Sequence, residues 1–153
     1  MDPNAINFLR DSLAHHHNLR NSLDGKASFL LAIAGVVFGL SVIRLEKVQF
    51  VVIAITAFLT ILLTVFAVFL PYRGKMKEKI GLMCWWGFAG KSYESYQEEV
   101  NRVIKTDEAI ADEYKKEIWN LANYSLRPKS VLLKWASFVL TVGLLAGFVL
   151  FFV

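Results

Sequence analysis

Three consecutive histidines, His15, His16 and His17, are the side chains of this 153-residue chain that first suggest chemistry. A metal site on a helix takes its ligands from one face, at steps of three or four residues. Neighbouring helical positions point about 100° apart, so at most one or two of the three could share a site. No cysteine or carboxylate stands at a spacing that completes the set. A polar helix face is the simpler account, and neither a metal nor an organic cofactor is expected. Nucleophilic chemistry has no better basis. The chain contains no Gly-x-Ser-x-Gly elbow, no phosphate-cradling Gly-x-x-x-x-Gly-Lys loop and no Gly-x-Gly-x-x-Gly turn. The carboxylates fall mainly on the outer face of a helical stretch, interleaved with Lys115 and Lys116, which is the pattern of a solvated surface. No enzymatic activity is expected. The single cysteine, Cys84, excludes an internal disulfide framework. Trp85, Trp86 and Phe88 could stack a nucleotide base. They lie between a basic run and a helical segment, where tryptophan at a membrane–water interface is the better reading.

The elements that would position such residues are apolar. Hydrophobic residues make up 56% of the chain and the mean hydropathy is +0.45, against about 45–50% apolar in a soluble domain. The excess sits in three uncharged blocks, residues 27–43, 48–70 and 135–153. A helix crosses the hydrocarbon core with about 20 residues, within a range of about 17–25. The expected fold is therefore an all-α membrane protein with three transmembrane helices, an N-terminal amphipathic helix and a helical cytoplasmic segment between the second and third spans. Residues 1–26 precede the first block and are mostly polar, so the block is not a cleaved signal. Within them Ile6, Leu9, Leu13, His16 and Leu23 recur at helical steps. The chain enters the first span through Asp24-Gly25-Lys26, and Pro71 ends the second. Segment 71–134 opens with an aromatic stretch broken by Gly81, Gly87 and Gly90. It turns helical from Ser92 to Leu126, with Ser95 and Glu98 at capping-box spacing and Thr106 before Asp107 and Glu108 as another helix start. One long helix and two shorter ones fit this stretch equally. Val100, Val103, Ile104, Ile110, Tyr114, Ile118 and Leu121 mark its apolar face, and Arg127-Pro128 breaks it before the last span.

Orientation follows from lysine and arginine. Twelve of the 17 basic residues fall between Pro71 and Lys134 and three more precede the first span, whereas the turn between the first two spans holds only Arg44 and Lys47. The N-terminus and residues 71–134 are expected in the cytoplasm. The formal charge of +4 expresses this asymmetry, so nucleic acid is not an expected partner. Inside the spans, Gly35 and Gly39, and again Gly143 and Gly147, are four apart, a spacing that lets two helix backbones approach closely. Thr56, Thr60 and Thr64 share one face of the second span, where their hydroxyls can bond back to the i−4 carbonyl or across to a neighbour. Packing within the chain and a homo-oligomer interface are both open for these positions. No span carries an interior charge of the kind that marks a selective ion path.

The order of features resembles the transmembrane effectors of the Pycsar family, which serves bacterial anti-phage defence. The residues carrying the resemblance are the histidine-containing first helix running into Asp24-Gly25-Lys26-Ala27-Ser28-Phe29-Leu30-Leu31, Pro71 with its basic neighbours, and the aromatic stretch Leu82 to Phe88 before Ser92-Tyr93-Glu94-Ser95-Tyr96. The resemblance implies a multi-pass protein of the bacterial inner membrane, activated by a cyclic pyrimidine nucleotide, cyclic UMP or cyclic CMP, to impair that membrane. No cyclic-nucleotide-binding domain is appended, so sensing would fall to the helical cytoplasmic part or to a separate subunit. Such a ligand carries one negative phosphate and a flat base, which call for cations or N–H donors and for an aromatic face. The candidates are Arg20, Asp24 and Lys26 around the start of the first span, Arg73 after the second, and Tyr93 and Tyr96. Contact of these cations with lipid phosphates is the alternative. The alternative for the whole chain is a non-catalytic membrane scaffold or accessory subunit of a larger complex.

Overall fold

In the computed structural model, which describes residues 3–69 and 91–152, every regular element is helical. Helix α1 (Pro3–Val42) runs 40 residues without interruption, so the expected amphipathic helix and first span are one element. Gly25 does not break it. A glycine inside a helix costs about 1 kcal/mol relative to alanine, whereas restarting a helix repeats an unfavourable nucleation step. The Ser28 hydroxyl, donating to the Asp24 carbonyl at 3.1 Å, ties together the turn that contains Gly25. At 1.5 Å per residue α1 is about 60 Å long, twice the roughly 30 Å hydrocarbon core. A tight turn follows, in which the Arg44 N–H donates to the Ser41 carbonyl at 3.1 Å and the Lys47 N–H to the Arg44 carbonyl at 3.2 Å. Helix α2 (Val48–Phe69) is the second span. Pro71, Arg73 and the aromatic stretch 81–90 lie outside the described residues.

Two separate helices come next. Helix α3 (Tyr93–Val103) is capped by Ser92, whose extended backbone aims its hydroxyl to accept from the Ser95 N–H. The expected capping pair Ser95–Glu98 therefore lies inside the helix, one turn too late. Helix α4 (Asp107–Asn120) is capped by Thr106, which accepts from the Ala109 N–H at 3.2 Å. A π-helical turn, Leu121–Leu126, leads directly into α5 (Arg127–Val149). The expected break at Arg127-Pro128 does not occur. Proline lacks an N–H, and in an α-helix its ring clashes with the carbonyl four residues earlier, here that of Tyr124. Tyr124 sits in the π-turn, whose hydrogen bonds reach back five residues and whose wider bore accommodates the ring.

By length and composition α1, α2 and the run ending in α5 are each able to cross a membrane. The chain divides into two compact units, one from residues 1–20 and 72–126, the other from residues 21–71 and 127–153. In the latter, α2 and α5 pack antiparallel along a seam of small residues. Ala54, Ala57, Thr60, Thr64 and Ala67 are buried on α2, and Ala136, Gly143 and Gly147 on α5. Leu133 and Leu140 of α5 are buried too, but most of the large side chains point the other way: Ile55, Phe58, Phe66, Phe69, Phe138, Leu145 and Phe148 are exposed. In water this arrangement would be inside out. In lipid there is no hydrophobic drive between helices, and small residues that permit close van der Waals contact make the interface.

Candidate functional site: charged groups at the ends of the helices

The α2–α5 seam is fixed at atomic detail by the glycines. A Cβ built on Gly143 would overlap the Thr56 side chain, with Cγ2 at 2.7 Å. One built on Gly147 would meet Cδ1 of Ile53 at 2.5 Å. The Thr56 hydroxyl donates to the Val52 carbonyl, and those of Thr60 and Thr64 donate to the carbonyls four residues back at 2.8 Å. The Thr60 oxygen also lies 3.4 Å from the Ala136 carbonyl across the seam. Gly35 and Gly39 differ from these. They are on an exposed strip of α1, and an added Cβ would meet nothing within 4 Å at either.

The same unit carries an ion pair where its charged sequence meets the apolar spans. Lys129 donates to Asp24 across 105 positions of sequence, with its side chain 3% exposed and that of Asp24 43% exposed. Below it Ala27, Ala67 and Leu133 form a small buried core. Beside the pair a groove of about 490 Å³ runs between α1 and α5, with Lys26 and Lys134 on its wall.

In the unit formed by residues 1–20 and 72–126, α4 turns a polar face inward. Glu113, Glu117 and Asn120 are buried, as are Ala111, Leu121 and Ser125. The acidic face expected to be solvated is thus partly interior: Asp107, Glu108 and Asp112 are exposed, whereas Glu113 and Glu117 are not. Glu113 accepts from Lys116 at 2.9 Å. One carboxylate oxygen of Glu117 and the Ser125 hydroxyl are buried and make no hydrogen bond among the described residues. Burial pushes the Glu117 carboxyl above its ordinary range, the Arg20 guanidinium pulls it back, and the Glu113 charge adds to the rise. Helix α3 is solvated, with Tyr93 72% exposed on its first turn and Tyr96 beside it. Glu94, exposed at the same helix end, is held below the ordinary carboxylate range by a backbone N–H and by the Ser92 hydroxyl.

The candidate ligand residues are therefore distributed over both units. Arg20, Tyr93 and Tyr96 belong to one, Asp24 and Lys26 to the other, and Arg73 lies outside the described residues. Three functional-looking residues carried no sequence signal of their own. Lys129 read as one of several positive-inside lysines, Glu117 as surface charge, and Ser125 as an unremarkable helix residue. An i,i+4 pair of glutamates on a face that also holds Ala111 and Leu121 was the available hint at Glu113 and Glu117. Among the described residues no group of three His, Cys, Asp or Glu side chains could hold a metal ion.

Comparison with known proteins places this architecture. No curated protein and no solved structure matches the chain significantly. The family model described as "Pycsar effector protein domain" matches residues 8–153, from the first helix through the last span. With three membrane-capable helices and nearly the whole length covered, the chain belongs to the Pycsar effector family of membrane proteins.

Proposed function

We propose that this protein is the membrane effector of an anti-phage system, held inactive until a cyclic pyrimidine nucleotide binds and then impairing the inner membrane. The observation that carries the reading is the family match over residues 8–153, joined to a bundle with large apolar side chains outside and small ones inside. The N-terminus and residues 71–134 face the cytoplasm, because 15 of the 17 basic residues lie in those two segments. Within that frame the unit of residues 1–20 and 72–126 is the sensor. It offers a guanidinium at Arg20 for the phosphate and rings at Tyr93 and Tyr96 for the base. It also holds polar groups at Glu117 and Ser125 that are buried without hydrogen-bond partners among the described residues, and such groups are costly to leave unsatisfied. A ligand that supplies partners, or shifts the helix that carries them, changes the stability of that unit. The open Gly35–Gly39 strip offers a self-complementary surface for a second copy, as the homo-oligomer reading requires.

The test uses purified protein in vesicles loaded with a self-quenching dye. Cyclic UMP or cyclic CMP added outside and inside should release dye, and the corresponding linear monophosphates should not. Arg20→Ala should abolish release while insertion stays normal. Constitutive leakage, or silence towards both nucleotides in protein that is inserted and folded, would leave the membrane scaffold as the better account.

A further inference from the structure

We propose that the groove between the second half of α1 and α5 is a binding site for one anionic phospholipid. It lies entirely within the unit of residues 21–71 and 127–153 and measures about 490 Å³. Known small-molecule sites span about 300–1,000 Å³. This volume takes a phosphoglycerol head and the first carbons of the chains, and the rest of each chain continues into the bilayer.

The walls are divided in the sense that a phospholipid requires. Lys26, Lys134 and Ser130 supply cations and a hydroxyl, while Leu30, Ile33 and Leu133 supply an aliphatic surface. The division has a direction. Lys26, Leu30 and Ile33 follow one another on one face of α1 at steps of four and three residues. Seven residues carry the groove about 10 Å further along the helix, from charge to apolar surface. Exposed Phe29 stands at the open side, so the groove communicates with whatever surrounds the bundle.

Charge complementarity selects the head group. Lys129 is neutralised by Asp24, but Lys26 and Lys134 have no carboxylate partner among the described residues. Two uncompensated ammonium groups over an aliphatic wall, in a helix bundle that crosses a bilayer, match a phosphate diester on acyl chains. Basic pockets between transmembrane helices hold anionic head groups by this combination. A free nucleotide shares the phosphate but fits the rest less well. The polar edge of its base would find only Ser130 and Ser137, and its sugar would lie on leucine and isoleucine. Because Lys26 is also a candidate nucleotide ligand, competition between lipid and nucleotide tells the two sites apart.

Native mass spectrometry of the full chain in detergent tests the proposal, with phosphatidylglycerol and phosphatidylcholine titrated in parallel. The expected result is one phosphatidylglycerol per chain, bound saturably. A lysine near the membrane surface contributes about fivefold to the affinity for an anionic lipid, so the preference over phosphatidylcholine should be about 30-fold. Lys26→Gln and Lys134→Gln should each lose about fivefold, and the double variant should bind both lipids alike. Ile33→Trp fills the apolar end without touching charge and should also lose the lipid. Lys115→Gln, on α4, should keep it. Equal binding of the two lipids by the unaltered protein, or a preference that survives the double variant, would overturn the site. Equal loss in Lys115→Gln would reduce it to general surface charge. Displacement of the lipid by cyclic UMP or cyclic CMP would assign the groove to the nucleotide instead.

Discussion

Breaking the Asp24–Lys129 pair should be strongly asymmetric. Removing one partner of a fully buried ion pair costs about 3–5 kcal/mol, because the other charge is left without water or counter-ion. An exposed pair contributes about 0–1 kcal/mol. Here the two side chains differ, with Lys129 3% exposed and Asp24 43% exposed. Asp24→Asn removes the exposed member and leaves a buried ammonium facing a neutral amide. Solvent reaches the Asp24 end of the contact, so the cost falls between the two limits, at about 2 kcal/mol. Lys129→Met removes the buried member and puts an apolar, unbranched chain in its place. Asp24 then recovers water, so this change should cost less than about 1 kcal/mol. The double variant should match Lys129→Met alone. Thermal unfolding followed by size-exclusion of the detergent-solubilised protein reads the difference. For a chain of this length about 2 kcal/mol corresponds to a midpoint shift of roughly 4–8 °C. Equal losses in the two single variants, or additive losses in the double, would refute the picture of one buried charge held by one half-exposed partner.

The seam glycines and the open glycines should respond differently. Gly143→Ile forces α2 and α5 apart and should cost at least about 1–3 kcal/mol, measured by the same unfolding assay. Gly35→Ile and Gly39→Ile should leave the midpoint nearly unchanged and reduce the oligomer seen by cross-linking in membranes. Glu117 should make stability depend on pH. Its carboxyl is raised above 4.5 in the folded chain, so the folded state holds the proton more tightly than the unfolded one. Stability from this group is therefore fully present below about pH 4.5, is lost as pH rises through the raised value, and returns on acidification from neutral. Glu117→Gln, which mimics the protonated form, should raise the melting temperature at neutral pH and flatten that part of the profile. A reporter fused after Lys129 should behave as cytoplasmic, and periplasmic behaviour would reverse the proposed topology.

How much of this was legible in the sequence depends on how far apart the interacting residues are. Uncharged blocks of the right length are local, and α2 fills its expected range of 48–70 as far as the described residues reach, to Phe69. Thr106 could be read as a cap because the acidic pair that follows it is adjacent in the chain. Helix junctions were misread for a common reason. Asp24-Gly25 and Arg127-Pro128 are breakers by propensity, and in each case the surrounding helix outweighs the local preference. In the first, long helices continue on both sides. In the second, a π-turn absorbs the proline. Ser95 with Glu98 fits the capping-box pattern, but the backbone conformation decides which serine caps, and it selects Ser92. Burial of Glu113, Glu117 and Lys129 is tertiary information. The partner of Lys129 lies 105 residues away, and no window along the chain contains both. The candidate ligand residues share a chemical character, and nothing in their spacing indicates that they fall into two units.

The π-turn at Leu121–Leu126 makes the chain's function sensitive to length as well as to composition. A turn of this kind amounts to a one-residue surplus in helical phase. Buried positions 113, 117, 121 and 125 follow each other at steps of four, a series that would drift by about 40° per step around an ordinary α-helix. The surplus residue absorbs part of that drift. Deleting any one residue between 121 and 126 would remove the surplus and restore ordinary winding there. Pro128 would then follow an ordinary α-helical turn, in which its ring meets the carbonyl four residues earlier. Hydropathy, charge and span length would be almost unchanged, so the lesion would be invisible to any reading that counts residues by type. In this segment, reading-frame-preserving deletions should be as damaging as a proline in the middle of a span.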